Sequence, residues 1–159
     1  MLLKEIVTFG ESSLDRAAEV RSDISKLNRL LEDSNSGILP FWRGKPLVSG
    51  YARDSLVWLD QAHELFKYST QTPIFLGIEN GVARFASDIS KWIPEENIDS
   101  VGMFADTSEQ HFNGLPEDYR FSEVRSIMTT LTPIDAELVA TAKALINWHQ
   151  THKFCSSCG

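Results

Sequence analysis

Pro73-Ile74-Phe75-Leu76-Gly77-Ile78-Glu79-Asn80-Gly81-Val82-Ala83-Arg84-Phe85-Ala86 holds two apolar runs separated by Asn80-Gly81. A two-residue Asn-Gly link is the strongest short-range hairpin signal, because a type I′ turn needs positive φ at both central positions. The stretch therefore reads as two antiparallel strands. Upstream, Ile38-Leu39-Pro40-Phe41-Trp42 and Pro46-Leu47-Val48-Ser49 flank Arg43-Gly44-Lys45, which reads as another hairpin turn. Ser55 to Leu59 is a further strand, with a helix through Ala62 and Leu65 competing for it.

Helical spacing surrounds these runs. Residues 8–22 are polar and read as an irregular segment or a short helix. Ile24, Leu27, Leu30 and Leu31 recur at helical spacing over residues 23–33, with Ser22 or Asp23 as cap and Ser34-Asn35-Ser36-Gly37 as stop. Residues 105–119, with Gly114-Leu115-Pro116, read as a surface loop. Val124, Ile127, Met128 and Leu131 give helical spacing from Phe121 to Leu131. Thr132-Pro133-Ile134-Asp135 then opens a long helix. Thr132 is the N-cap, Pro133 sits where a missing N–H costs nothing, and Asp135 completes a capping-box-like pattern. Ile134, Leu138, Ala142, Leu145 and Trp148 or His149 form one stripe, which predicts a helix lying on the sheet. The expected fold class is α+β: a mixed or antiparallel sheet with hairpins packed by helices, and a long C-terminal helix leading into a Cys-x-x-Cys knuckle. The expected domains are an α/β domain over 1–131, a connecting helix over 132–154, and half of a metal ribbon over 155–159.

The chain has 159 residues, 42% apolar and 23% charged, which suits one globular domain. Its net charge of -7 argues against a duplex-binding module as a whole, but not against a local anion contact. Met1-Leu2-Leu3-Lys4-Glu5-Ile6-Val7 is too short and interrupted for a signal peptide, and no run approaches the roughly 18 apolar residues that span a bilayer. Both cysteines lie in one knuckle, so no disulfide framework crosses the fold. A cytosolic setting is expected.

Chemistry concentrates at Cys155-Ser156-Ser157-Cys158-Gly159. Two thiolates two residues apart can share one Zn²⁺, and zinc prefers four ligands. Three readings stay open. A second cysteine pair beyond Gly159 would complete the site, which makes the chain the front of a longer protein. His149 and His152 could complete it locally, at the cost of unwinding the helix end; the ordinary reading of His149 is helix surface or complement to the C-terminal dipole. A redox pair is the third, but that chemistry favours a motif opening a helix after a strand. Arg43, Lys45 and Arg53 near Trp42 and Tyr51 pair cations with aromatics, as phosphate and base contacts do; a solvated turn beside a core tryptophan is the stronger reading. Glu95, Glu96, Asp99, Asp106, Glu109, Glu117 and Asp118 lack the spacing that would place several on one helix face, and read as solvated surface. His63 and His111 have no recognisable partner. No phosphate-cradling glycine motif occurs.

In chain order, several blocks together resemble the N-terminal region of bacterial NADH pyrophosphatases, the zinc-ribbon branch of the Nudix hydrolases. These are Leu14-Asp15-Arg16-Ala17 with Arg21-x-Asp23, Phe41-Trp42-Arg43-Gly44-Lys45-Pro46-Leu47, Phe75-Leu76-Gly77-Ile78 with Asn80-Gly81, and Trp148-His149-x2-His152-x-Phe154-Cys155-x2-Cys158-Gly159. The resemblance spans nearly the whole chain. It implies a Nudix-like mixed α/β domain, then a four-cysteine zinc ribbon whose first two ligands match Cys155 and Cys158, then a catalytic domain using Mg²⁺ or Mn²⁺. It also implies a homodimer that cleaves NAD(H) to nicotinamide mononucleotide and AMP, with NAD-capped RNA as a related substrate. The carboxylate-rich Nudix box is not matched: aligning Glu95-Glu96 puts Lys91-Trp92 where Arg-Glu belongs and Pro94 inside the helix. The expectation is a catalytically silent scaffold.

Overall fold

The computed structural model describes residues 14–94 and 109–152. Strands β1 (Gly37–Trp42) and β2 (Lys45–Ser49) pair antiparallel about Arg43-Gly44. β3 (Ser55–Leu56) pairs with β2. β4 (Ile74–Glu79) and β5 (Val82–Asp88) form the predicted hairpin. β6 (Arg120–Phe121) also pairs with β2. Both tight turns use left-handed pairs, Arg43 (φ 49°) with Gly44 (φ 77°) and Asn80 (φ 49°) with Gly81 (φ 81°), as type I′ geometry requires. The sheet order is β3-β2-β1-β5-β4, with β1 and β5 parallel, so the sheet is mixed. The helices are α1 (Ile24–Glu32), the single turn α2 (Val124–Ile127) and α3 (Pro133–Thr151). The fold is α+β, as expected.

Every residue of β1 is buried, because both sheet faces are covered. Leu39 and Phe41 pack in one core with Ala136, Val139, Ala142 and Ile146 of α3. Ile38 packs in another with Phe75, Phe85 and the Leu27, Leu30 and Leu31 side chains of α1. Trp42 centres a third, aromatic core with Trp92 and Phe121, and its indole N–H donates to the Trp92 carbonyl at 2.9 Å. Asp23 caps α1 by accepting from the Lys26 N–H, and Thr132 caps α3 by accepting from the Asp135 N–H while donating to its carboxylate. Burial raises the Asp135 carboxyl above its ordinary range, against the lowering effect of the Thr132 hydroxyl.

Four sequence expectations change. Ser55 to Leu59 is a strand only at Ser55–Leu56, and the competing helix is a short 3-10 segment, Glu64–Tyr68. Phe121 does not open a helix: it lies in β6, and the Ser122 N–H still donates to the Pro46 carbonyl, so only Val124–Ile127 can coil. The loop over 105–119 is no mere surface loop where it is described, since Phe112 and Leu115 are buried beside Trp42. The buried stripe of α3 is Ala136, Leu138, Val139, Ala142 and Ile146, while Ile134 and Leu145 are half-buried and Trp148 and His149 exposed. The face is rotated from the expected one by about one residue position, or roughly 100°. Both stripes share Leu138 and Ala142, and only the sheet decides between them.

At one edge of the sheet lies β4, and the chain before α1 covers it. Asp15 exchanges two backbone hydrogen bonds with Ile78, at 3.0 and 2.7 Å. The Arg21 guanidinium donates to the carbonyls of Phe75 and Leu76, both at 3.0 Å. Arg16 pairs with Glu137 and ties the same segment to α3. The register slips between Phe75 and Gly77, and this bulge moves Ile78 onto the face occupied by Phe75. Gly77 sits at φ 154°, where an added Cβ would stand 2.5 Å from the Asp15 carbonyl oxygen. Gly77→Ala should therefore cost about 2–3 kcal/mol, combining backbone strain with a backbone clash. Gly81→Ala, whose Cβ meets nothing within 4 Å, should cost only the left-handed penalty of about 1–2 kcal/mol. Urea unfolding of both variants checks the order; equal losses would contradict the edge contact.

Candidate functional site

Polar side chains converge where β5 ends, beside the β1–β2 turn and the second half of α3. Asp88 closes β5 and is 2% exposed. Its carboxylate accepts from the Thr70 hydroxyl (3.1 Å), the Ser90 N–H (3.1 Å), the Ser90 hydroxyl and the Gln150 side-chain amide (2.8 Å). The Ser90 hydroxyl in turn accepts from the Arg43 N–H at 2.9 Å. These donors replace the water that a buried carboxylate loses. One residue thus ties together the β1–β2 turn, the strand end, the segment after the 3-10 turn, and α3.

The predicted basic cluster divides. The Arg43 guanidinium lies 4.9 Å from the Trp42 ring centroid and the Lys45 ammonium 5.6 Å from it, with Lys45 itself buried. Arg53 lies beyond the opposite end of β2 and is taken by Glu109, through two hydrogen bonds of 2.9 and 2.8 Å. Tyr51 is fully exposed. The reading of Arg43, Lys45 and Arg53 as one patch with Tyr51 is corrected: β2 separates Arg53 and Tyr51 from the other two. Lys143 of α3 joins the turn instead, its carbons 3.4 Å from where a Gly44 Cβ would stand, and its ammonium pairs with Glu123 at 3.2 Å.

The acids divide similarly. Glu95, Glu96, Asp99 and Asp106 lie outside the described residues. Glu109 is not free surface, since Ser122 donates to it as well as Arg53. The Asp118 carboxylate accepts from the Gly50 N–H at 3.2 Å, and the Glu117 carbonyl accepts from Arg120. His63 caps the 3-10 segment by accepting from the Leu65 N–H, and His111 lies against the Leu115 and Pro116 carbonyls, so both have structural partners. Cys155 and Cys158 lie outside the described residues. Upstream of them, His149 and His152 are exposed, and the His152 ring stacks on Trp148 with centroids 5.1 Å apart. Among the described residues, no three His, Cys, Asp or Glu side chains form a group that could hold a metal ion. Nor is any helix among them long and apolar enough to cross a membrane.

Sequence reasoning missed Asp88 and Gln150. Asp88-Ile89-Ser90 carries a local signal, an acid two residues before a serine whose N–H it can accept. Gln150 carries none, because its role depends on the rotated face of α3.

The Arg53 hydrogen bond holds the Glu109 carboxyl below the ordinary glutamate range, against the effect of partial burial, and the Ser122 hydroxyl adds to the lowering. A lowered folded value means that the ionised form stabilises the fold above the unfolded glutamate value of about 4.3, and that this is lost as pH falls through the folded value. Glu109 is 39% exposed, so screening keeps the effect small. Glu109→Gln should cost about 0.5–1 kcal/mol at pH 7. Urea midpoints of variant and parent should converge below about pH 4. A gap that persists at acid pH would show that the carboxylate charge is not what matters.

Comparison with known proteins fits this geometry. A family model for the NADH pyrophosphatase-like rudimentary NUDIX domain matches residues 35–148, from the entry to β1 almost to the end of α3. A shorter stretch of 39 residues is 46% identical to the human protein "NAD(P)H pyrophosphatase NUDT13, mitochondrial". That stretch is 24% of this chain and 11% of the human protein. The matched family segment holds the whole six-stranded sheet, the Asp88 junction short of Gln150, and most of α3, so the chain belongs to the NADH pyrophosphatase-like rudimentary NUDIX domain family.

Proposed function

We propose that this chain is the non-catalytic N-terminal domain of an NAD(H) pyrophosphatase and serves it as a scaffold. It presents the first half of a zinc ribbon and supports a homodimer. The parent enzyme cleaves NAD(H) to nicotinamide mononucleotide and AMP in the cytoplasm, with NAD-capped RNA as a further substrate. Its Mg²⁺ or Mn²⁺ belongs to a separate catalytic domain.

The carrying observation is the employment of this domain's carboxylates. Glu79 is taken by Arg84, Glu109 by Arg53, Glu123 by Lys143, Glu137 by Arg16, and Asp88 by its four donors. Metal-assisted hydrolysis needs carboxylates free to hold divalent ions that activate water and neutralise the pyrophosphate. Among the described residues, these five carboxylates hold the fold together. The sequence supports the same reading, since its adjacent pair Glu95-Glu96 lacks the spacing of a Nudix box. For zinc, Cys155 and Cys158 supply half of a tetrahedral donor set, and a second cysteine pair would complete it. A thiol-disulfide role is less favoured, because α3 ends at Thr151, upstream of Cys155, so the pair does not open that helix.

Incubated with NADH and Mg²⁺, the chain should produce no AMP and no reduced nicotinamide mononucleotide above the uncatalysed rate, by chromatography. Turnover comparable to an intact pyrophosphatase would overturn the assignment. Metal analysis supplies an independent check. Chain refolded with Zn²⁺ and desalted should retain about half an ion per chain, as two thiolates permit when two copies share an ion, and retention should vanish in the Cys155→Ser, Cys158→Ser double variant. Undiminished retention in that variant would remove the cysteines from the site.

A further inference from the structure

The last turn of α3 is poorly anchored by apolar contact. Ile146 is the last buried residue of the helix, and Asn147, Trp148, His149, Gln150 and Thr151 are all exposed. Gln150 stands four residues after Ile146 and so continues the face that carries Ile146. Its amide reaches Asp88, at 2.8 Å.

We infer that the Asp88–Gln150 hydrogen bond is a positioning contact: it fixes the final turn of α3 against the sheet, and so the point from which the chain leads on to Cys155 and Cys158. This deepens the scaffold reading above and rests on it for the role of the cysteines.

Three features make the contact suited to the task. The acceptor is rigid, because Asp88 is buried and held by Thr70 and Ser90 before Gln150 arrives. It is anionic, so the bond is stronger than one between neutral groups. It also sits on the strand that pairs with β1, since Phe41 is the register partner of Asp88. Among the described residues, the other hydrogen bonds and ring contacts of this turn are local to the helix. Trp148 stacks on His152, and the Thr151 hydroxyl donates to the Asn147 carbonyl at 2.9 Å. Local contacts can stiffen the turn, but they cannot say where it lies relative to the sheet.

The test is amide hydrogen exchange by NMR on the whole chain without metal, for Gln150→Ala, Gln150→Glu, Trp148→Ala and, as control, Asn147→Ala. Gln150→Ala should speed exchange at the amides of residues 149–152 about tenfold. Gln150→Glu should speed it further, because a second carboxylate then faces Asp88. Asn147→Ala should change it less than threefold, and the amides of β1 and β5 should stay protected throughout, showing that each variant folds. Unchanged exchange in Gln150→Ala overturns the inference. So does release of the turn by Trp148→Ala but not by Gln150→Ala, since the helix end would then be held by its own stacking. Failure of the parent chain to retain Zn²⁺ counts against the scaffold reading and leaves the exchange result to judge the contact.

Discussion

The structure depends on the parallel pairing of β1 with β5. Gly37 to Phe41 lie in register with Arg84 to Asp88. Parallel neighbours cannot be joined by a tight turn, so a long connection must separate them. That connection supplies β2, β3, the 3-10 segment and β4, and it places β1 in the interior, with β2 on one side and β5 on the other. An interior strand needs cover on both faces. On one face that cover is α3; on the other it is α1 over Ile38 and the aromatic cluster around Trp42. The position of β1 therefore dictates where the helices lie.

The same arrangement decides where polar groups go. A sheet covered on both faces offers its charged residues only edges and ends. The β4 edge is closed by backbone bonds from Asp15 and by the Arg21 guanidinium, both aimed at main-chain groups that would otherwise stand open to another strand. At the end of β5, Asp88 accepts from three other parts of the chain. Beyond the far end of β2, Arg53 and Glu109 join the loop after the strand to the segment that pairs with β6. The polar chemistry of the domain is therefore connective. That suits the scaffold role proposed above.

What could be read from the sequence was local. Asn80-Gly81 specifies its own turn because the two residues tolerate positive φ wherever they occur. Thr132-Pro133-Ile134-Asp135 specifies the start of α3 because a cap needs only its own first turn. The coverage of β4 by Asp15 was not legible, since the partners are 63 positions apart and the signal is a pair of backbone bonds. The burial of Phe112 and Leu115 was hidden by the turn residues around them. Arg53 read as part of a basic patch because proximity in sequence was taken for proximity in space, yet β2 carries the chain away between Lys45 and Arg53. The same limit applied to α3: its sequence permitted two faces about one residue apart, and only the sheet chose.

That choice carries a consequence beyond helix packing. On the face expected from the sequence, Trp148 or His149 would have anchored the helix end in the core, and Gln150 would have pointed away. On the observed face, the core contact stops at Ile146 and the aromatic residues are free at the surface. The last turn is then held to the sheet by a hydrogen bond, which is directional, where an apolar contact would tolerate sliding. A domain that must hold the chain beyond its last helix at a defined place gains from a contact of that kind. One rotation of α3 thus frees Trp148, His149 and His152 for whatever lies next to them, and gives Asp88 its fourth donor.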